Sequence, residues 1–165
     1  MTTTETRNPT ADQGQKEYFD LHTSGIGYLS RIRTVTPKGS GRKSEPMLCC
    51  AINALRGEVD DPQYSYFDLR VTELEAQRLV LRSEDAVKAG KKVIVAFMVG
   101  DIYIHHYVKR VEGKDEHRAI LKGRLFRISY IKVDGQVVYR RDDAVAGSEV
   151  DNQGGNAVQG VGEAG

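Results

Sequence analysis

An all-β fold with one connecting helix, closed as a small barrel and extended by a C-terminal β-hairpin, is what this sequence predicts. Three observations carry the prediction. Most of the 165 residues between the two ends alternate apolar and polar with a period of two. The period switches once to that of a helix, in the stretch that opens with Thr72-Glu-Leu-Glu75 and stops at Gly90. Turn residues punctuate the alternating runs, above all Asp134-Gly135, the pair that best fits a type I′ turn.

Taken in order, Gly27-Tyr-Leu-Ser-Arg-Ile-Arg-Thr-Val35 reads as a first strand with basic residues on one side. Residues 36–46, with two prolines, two glycines and three basic residues, read as a positive connection. Residues 47–55 read as a second, more buried strand, 56–62 as a turn, and Tyr64-Ser-Tyr-Phe-Asp-Leu-Arg-Val71 as a third strand. Thr72 and Glu75 have capping-box spacing, so each side chain is expected to satisfy a free backbone N–H at the helix start. Helix formers continue to Arg82 and, after a break at Ser83, to Ala89; Gly90 supplies the stop. Residues 91–99 read as a fourth strand, open to continuation through 102–108, and a turn at 112–116 leads to a fifth at 119–128. Residues 131–138 read as the terminal hairpin. Three strands, a helix and two strands is the order of an OB-type barrel, whose first-to-second and fourth-to-fifth loops grip oligonucleotides. Those loops fall here at 36–46 and roughly 101–118.

The domain is expected to span residues 16–141. Residues 1–15 and the tail 142–165, which holds six glycines and no aromatic residue, are expected to be disordered, because neither can bury enough apolar surface to offset its ordering entropy. The formal net charge of +1 hides a segregation. The body holds 23 Lys/Arg against 16 Asp/Glu, and the tail holds five acidic residues and no basic one. A basic body points to a polyanionic partner. No apolar run is long enough for a membrane span and residues 1–15 lack a signal-peptide core, so a cytoplasmic protein without membrane association is expected. Cys49 and Cys50 are adjacent in a strand and point to opposite faces, so they are expected to stay reduced.

The residues also carry a resemblance. Gly27-Tyr-Leu-Ser-Arg31, Tyr64-Ser-Tyr-Phe-Asp-Leu-Arg70 with the helix start 73–77, and Ala86-Val-Lys-Ala-Gly-Lys-Lys-Val93 resemble the first strand, the third strand and the helix end of bacterial single-stranded DNA-binding proteins. Tyr18-Phe-Asp-Leu-His-Thr-Ser-Gly25, Gly100-Asp-Ile-Tyr103, Leu121-Lys-Gly-Arg-Leu125 and Ile131-Lys-Val-Asp-Gly135 resemble replication proteins of bacterial integrative and conjugative elements. The resemblance covers about residues 17–139. It implies single-stranded DNA as partner, a homo-oligomer (dimer or tetramer), and contacts with replication or conjugation proteins. Two departures stand out: the chain has no tryptophan, and its acidic tail ends Val161-Gly-Glu-Ala-Gly165 without the short apolar tip that recruits partners in that family.

A single-strand binder needs cations along the phosphates and flat rings under the bases. On the third strand Tyr64, Tyr66 and Arg70 share one parity with Asp68, while Phe67, Leu69 and Val71 take the other and are assigned to the core. Tyr66 is the first candidate for stacking; the other reading is an ordinary rim tyrosine. Tyr103, His105, Tyr107 and Lys109 share a parity beyond the fourth strand, as a stacking platform or as a surface packed on another subunit. Tyr28, Arg31 and Arg33 of the first strand, Lys38, Arg42 and Lys43 of the first loop, and Lys122 and Arg124 of the fifth strand are candidate DNA contacts; a merely solvated face is the other reading. Phe97 and Phe126 are assigned to the core. No cofactor or metal is expected, because the four histidines lack ligand spacing, and no enzyme, because no nucleophile, phosphate-loop or metalloprotease motif is present. A nuclease would need Asp20, Asp68 and Asp101 to converge. A protein-docking module on the same barrel is the main rival to DNA binding.

Overall fold

The computed structural model describes residues 17–39 and 44–142. Six strands and two helices follow in the order β1 (His22–Val35), β2 (Met47–Gly57), β3 (Pro62–Val71), α1 (Leu74–Arg82), α2 (Glu84–Lys88), β4 (Val93–Val111), β5 (Lys114–Val133) and β6 (Gln136–Arg140). Strand β1 pairs antiparallel with β2 and β4, β2 with β3, and β4 with β5. A parallel pairing of β3 with β5, Phe67 opposite Leu121 through Val71 opposite Leu125, closes the ring. The result is a five-stranded OB-type barrel, with β6 added to the end of β5 as the terminal hairpin. Residues 1–15 and 142–165 are the ends expected to be disordered; all of these but Asp142 lie outside the described residues, as do Lys16 and, in the first loop, Arg42 and Lys43.

Alternation fills the barrel. Phe67, Leu69 and Val71 of β3 are buried with Val93, Val95, Phe97 and Val99 of β4 and Leu125, Ile128 and Ile131 of β5. Phe67 and Phe97 meet as tilted rings 6.4 Å apart. Helix α1 lays Ala76, Leu79 and Val80, one stripe at helical spacing, onto this core. Cys50 points inward and burial pushes its thiol up to about 12, while Cys49 faces outward, half-buried; both are free thiols.

Several expectations are corrected by contacts that local sequence does not reveal. The capping box does not form. The N-cap is Glu73, and Glu75 instead accepts a 2.8 Å hydrogen bond from the Tyr139 hydroxyl and one of 3.2 Å from Arg141. These clasp the terminal hairpin to the helix start, and the Thr72 hydroxyl turns to the Leu125 carbonyl. The connecting element is two helices that part at Ser83, where the sequence also places a break. The buried Ser83 hydroxyl donates to the Leu79 carbonyl at 2.9 Å, a back-bond that competes with helix continuation. Gly90, at φ +75°, ends α2 in a Schellman motif, with Lys91 N–H bonded to Ala86 O and Gly90 N–H to Val87 O. Residues 101–118 are no loop. Strands β4 and β5 run on as a two-stranded arm to a tight turn at Glu112-Gly113, both at positive φ, as are Asp134 and Gly135 in the type I′ turn that the sequence predicts. Phe126 is not core. It lies on the outer side of β5, its ring over Gly100, where a Cβ would collide with it, and 5.1 Å from the His22 ring.

The Glu75 clasp yields a modest prediction. Tyr139→Phe removes the hydroxyl that Glu75 accepts, and should lower unfolding stability by about 0.5–1.5 kcal/mol in urea melts, the net worth of one hydrogen bond.

Candidate nucleic-acid interface

Cross-strand register assembles the site on the outer side of β1, β2, β3 and β5. Because paired residues of neighbouring strands share a face, three rows can be followed around the barrel. The first runs Tyr28–Asn53–Tyr66. The second runs Ser30–Ala51–Asp68–Lys122–Tyr103. The third runs Arg33–Cys49–Arg70–Arg124. Tyr64 flanks the first row, its ring 6.3 Å from that of Tyr28.

Strict alternation would put Arg31 inside with Leu29. A bulge in β1 prevents this: between Ser30 and Arg33 the register slips, and Arg31 takes φ +47°. The extra residue turns Arg31 outward while Ile32 returns to the core. Both arginines then reach across β2 to β3. Arg31 donates to the Tyr66 hydroxyl at 2.9 Å, and Arg33 pairs with Asp68 at 2.6 Å. Their path crosses Ala51, which is fully covered.

The electrostatics of the face are partly self-neutralised. Burial works against the charge of Arg33, but the hydrogen bond and charge of Asp68 outweigh it and hold the guanidinium above its usual pKa. Lys122 lies 3.8 Å from the same carboxylate. Arg124 is engaged by Asp101 through its Nε at 2.6 Å, and its guanidinium sits 5.3 Å from the centre of the Phe126 ring. Arg70 is exposed and has no ion pair among the described residues. Burial raises the Cys49 thiol, with Arg33 opposing, which leaves it a poor nucleophile in the third row.

The arm continues the second row away from the barrel. Tyr103, His105, Tyr107 and Lys109 stand opposite Lys122, Ile120, Arg118 and Glu116, all on one face. The His105 and Tyr107 rings stack at 6.2 Å and 17°. His105 and His106 face opposite ways, and among the described residues no three His, Cys, Asp or Glu side chains cluster to hold a metal; Asp20, Asp68 and Asp101 do not converge.

Of the residues singled out from sequence, Tyr28, Arg31, Arg33, Tyr64, Tyr66, Arg70, Tyr103, Lys122 and Arg124 are thus brought together on the barrel. His105, Tyr107 and Lys109 extend along the arm. Lys38 is exposed in the loop after β1, apart from the rows. Sequence reasoning missed Asn53, which separates Tyr28 from Tyr66, and Arg118, which faces Tyr107. The signal for Arg118 was present: a two-residue turn at Glu112-Gly113 fixes every pairing of the arm. A concavity of about 930 Å³ lies elsewhere, between residues 17–22, the start of α1 and Phe126–Ile128; it meets the rows only at Arg124. A face of this kind is an open track, suited to an extended chain rather than an enclosed small molecule.

The protein is therefore a closed OB-type barrel that bears an open outer face of tyrosine, arginine and lysine. It belongs to the family described as protein of unknown function (DUF3577), whose model matches residues 12–146. No curated protein and no solved structure matches the chain. Among the described residues no helix is long and apolar enough to cross a membrane.

Proposed function

We propose that this protein binds single-stranded DNA with little regard to sequence, in the replication or transfer of a mobile genetic element. One observation carries the reading. The three rows place tyrosine rings beside cations across adjacent strands, and the same alternation of ring and cation continues along the arm. Rings stack on any base and cations follow any phosphate, so such a surface is sequence-tolerant by construction. The mobile-element setting and a dimer or tetramer in solution rest on the resemblance of the sequence.

Three to five phosphates neutralised by this face would give a slope of log affinity against log salt of about −2 to −3.5, a loss of roughly 15–130-fold between 50 and 200 mM salt. Fluorescence anisotropy with labelled oligo-dT and a duplex of equal length, across a salt series, measures this. Salt-insensitive binding, or no binding at low micromolar protein, would sink the proposal.

A second reading has its own observation. Asp68 and Asp101 already hold Arg33, Lys122 and Arg124. A barrel so neutralised suits docking on a replication or conjugation protein. Partner capture that survives nuclease treatment, together with absent DNA affinity, would select it.

A further inference from the structure

Asn53 stands in the middle of the first row without a bonding partner. The other outward residues of β2 around it are Cys49, Ala51 and Leu55, and asparagine is a poor strand former. Its side-chain amide makes no hydrogen bond among the described residues. The amide nevertheless reaches the surface, because no buried side-chain nitrogen or oxygen of those residues lacks a partner. We infer that the Asn53 carboxamide hydrogen-bonds the Watson–Crick edge of an unpaired base held against the tyrosines, so that a free base edge is part of what this face selects. The inference deepens the DNA-binding reading and rests on it.

Two bridges over β2 bracket the amide. Tyr28 of β1 and Tyr64 of β3 lie on strands that β2 separates, yet their rings are 6.3 Å apart, so they lean together over β2. Tyr28 pairs with Asn53 and Tyr64 with Leu55, which carries this bridge across between Asn53 and Leu55. On the other side Arg31 of β1 reaches the Tyr66 hydroxyl of β3, between Ala51 and Asn53. Asn53 is the floor between the two bridges. That floor is held firmly, because Gly27 lets β1 close on β2 here, and a Cβ at Gly27 would strike the Asn53 carbonyl. A base stacked on a tyrosine of either bridge can turn an edge down to the amide.

The chemistry of the amide suits that edge. A carboxamide carries an acceptor oxygen beside a donor NH2. No neighbour fixes the Asn53 amide, so it can turn to present the two in either order. Every unpaired base offers a donor beside an acceptor: amino group and ring nitrogen in adenine and cytosine, ring N–H and carbonyl in guanine and thymine. A contact of this kind accepts all four bases, as a sequence-tolerant face requires. It refuses a base whose edge is already taken, by a complementary strand or by an alkyl group. Stacking and phosphate contacts alone do not read the edge at all.

The test compares oligo-dT of about 12 nucleotides, within the range of one OB fold, with the same length built from N3-methylthymidine. The methyl group replaces the edge N–H and leaves the strand charge and the ring face in place. The full-length wild-type protein should bind the methylated oligomer about 2- to 12-fold more weakly, the net worth of one hydrogen bond. Asn53→Leu keeps the side-chain shape and loses both hydrogen-bonding groups. It should bind oligo-dT more weakly by a similar factor and no longer distinguish the two oligomers. Asn53→Ala should behave alike and stands in if leucine disturbs the barrel, which thermal melts reveal. Equal binding of both oligomers by wild type overturns the inference and leaves the DNA reading intact. So does a folded variant that discriminates as strongly as wild type. Absence of wild-type binding to either oligomer overturns the DNA reading, and the inference with it.

Discussion

Tyr66→Ala is expected to weaken binding of oligo-dT by about 1–3 kcal/mol, roughly 5- to 150-fold, the worth of one stacked base. The ring stands at the end of the row from Tyr28 through Asn53, and its hydroxyl accepts the Arg31 guanidinium. Two contributions are therefore removed together: the stacking surface and the group that steers Arg31. Tyr66→Phe separates them. It keeps the ring and frees Arg31, so it should retain most of the affinity if stacking dominates. The core side of β3 is untouched by either change, because Phe67 and Leu69 face the other way, so thermal melting should move little. Competition titrations at fixed salt give the comparison. Unchanged affinity for Tyr66→Ala would remove Tyr66 from the site.

Much of this face is legible in the sequence because strands obey a period of two. The split of β3 into Phe67, Leu69 and Val71 inside and Tyr64, Tyr66, Asp68 and Arg70 outside follows from alternation alone, as does the outward parity of Lys122 and Arg124. What alternation hides is where it slips. At Arg31 a bulge inserts one residue, and without it Tyr28 and Arg31 could not share a face. Phe126 was drawn toward the core by its aromaticity; its place next to the buried Leu125 would have put it outside. The failed capping box at Thr72 and Glu75 teaches a different lesson. The motif is local and sound, but Tyr139 and Arg141 arrive from the far end of the domain and take the same carboxylate. Long-range competitors of this kind cannot be seen in a window of four residues. The Asp101–Arg124 pair is hidden for the same reason.

Asp68 makes the sharpest demand on the proposed function, since a carboxylate at the centre of a DNA-binding face repels phosphate. It also occupies two cations: Arg33 at 2.6 Å and Lys122 at 3.8 Å. Phosphate can use those cations fully only by displacing the carboxylate. Asp68→Asn removes the negative charge while keeping an oxygen that can accept from Arg33. Two more cations then become available to phosphate. The salt slope should steepen by up to about 1.4, and affinity at 50 mM salt should rise by roughly tenfold. Stability should move the opposite way. Arg33 is partly desolvated, and exchanging its charged partner for a neutral one should lower unfolding stability by about 1–2 kcal/mol. The two signs together separate Asp68 as a competitor for phosphate from Asp68 as a support for Arg33. If Asp68→Asn weakened DNA binding in step with stability, the carboxylate would be holding Arg33 in the geometry that binds phosphate, and the competition argument would fall. Tighter binding by a less stable protein would mean that this face is tuned below its attainable affinity, as a coat that must also leave the strand requires.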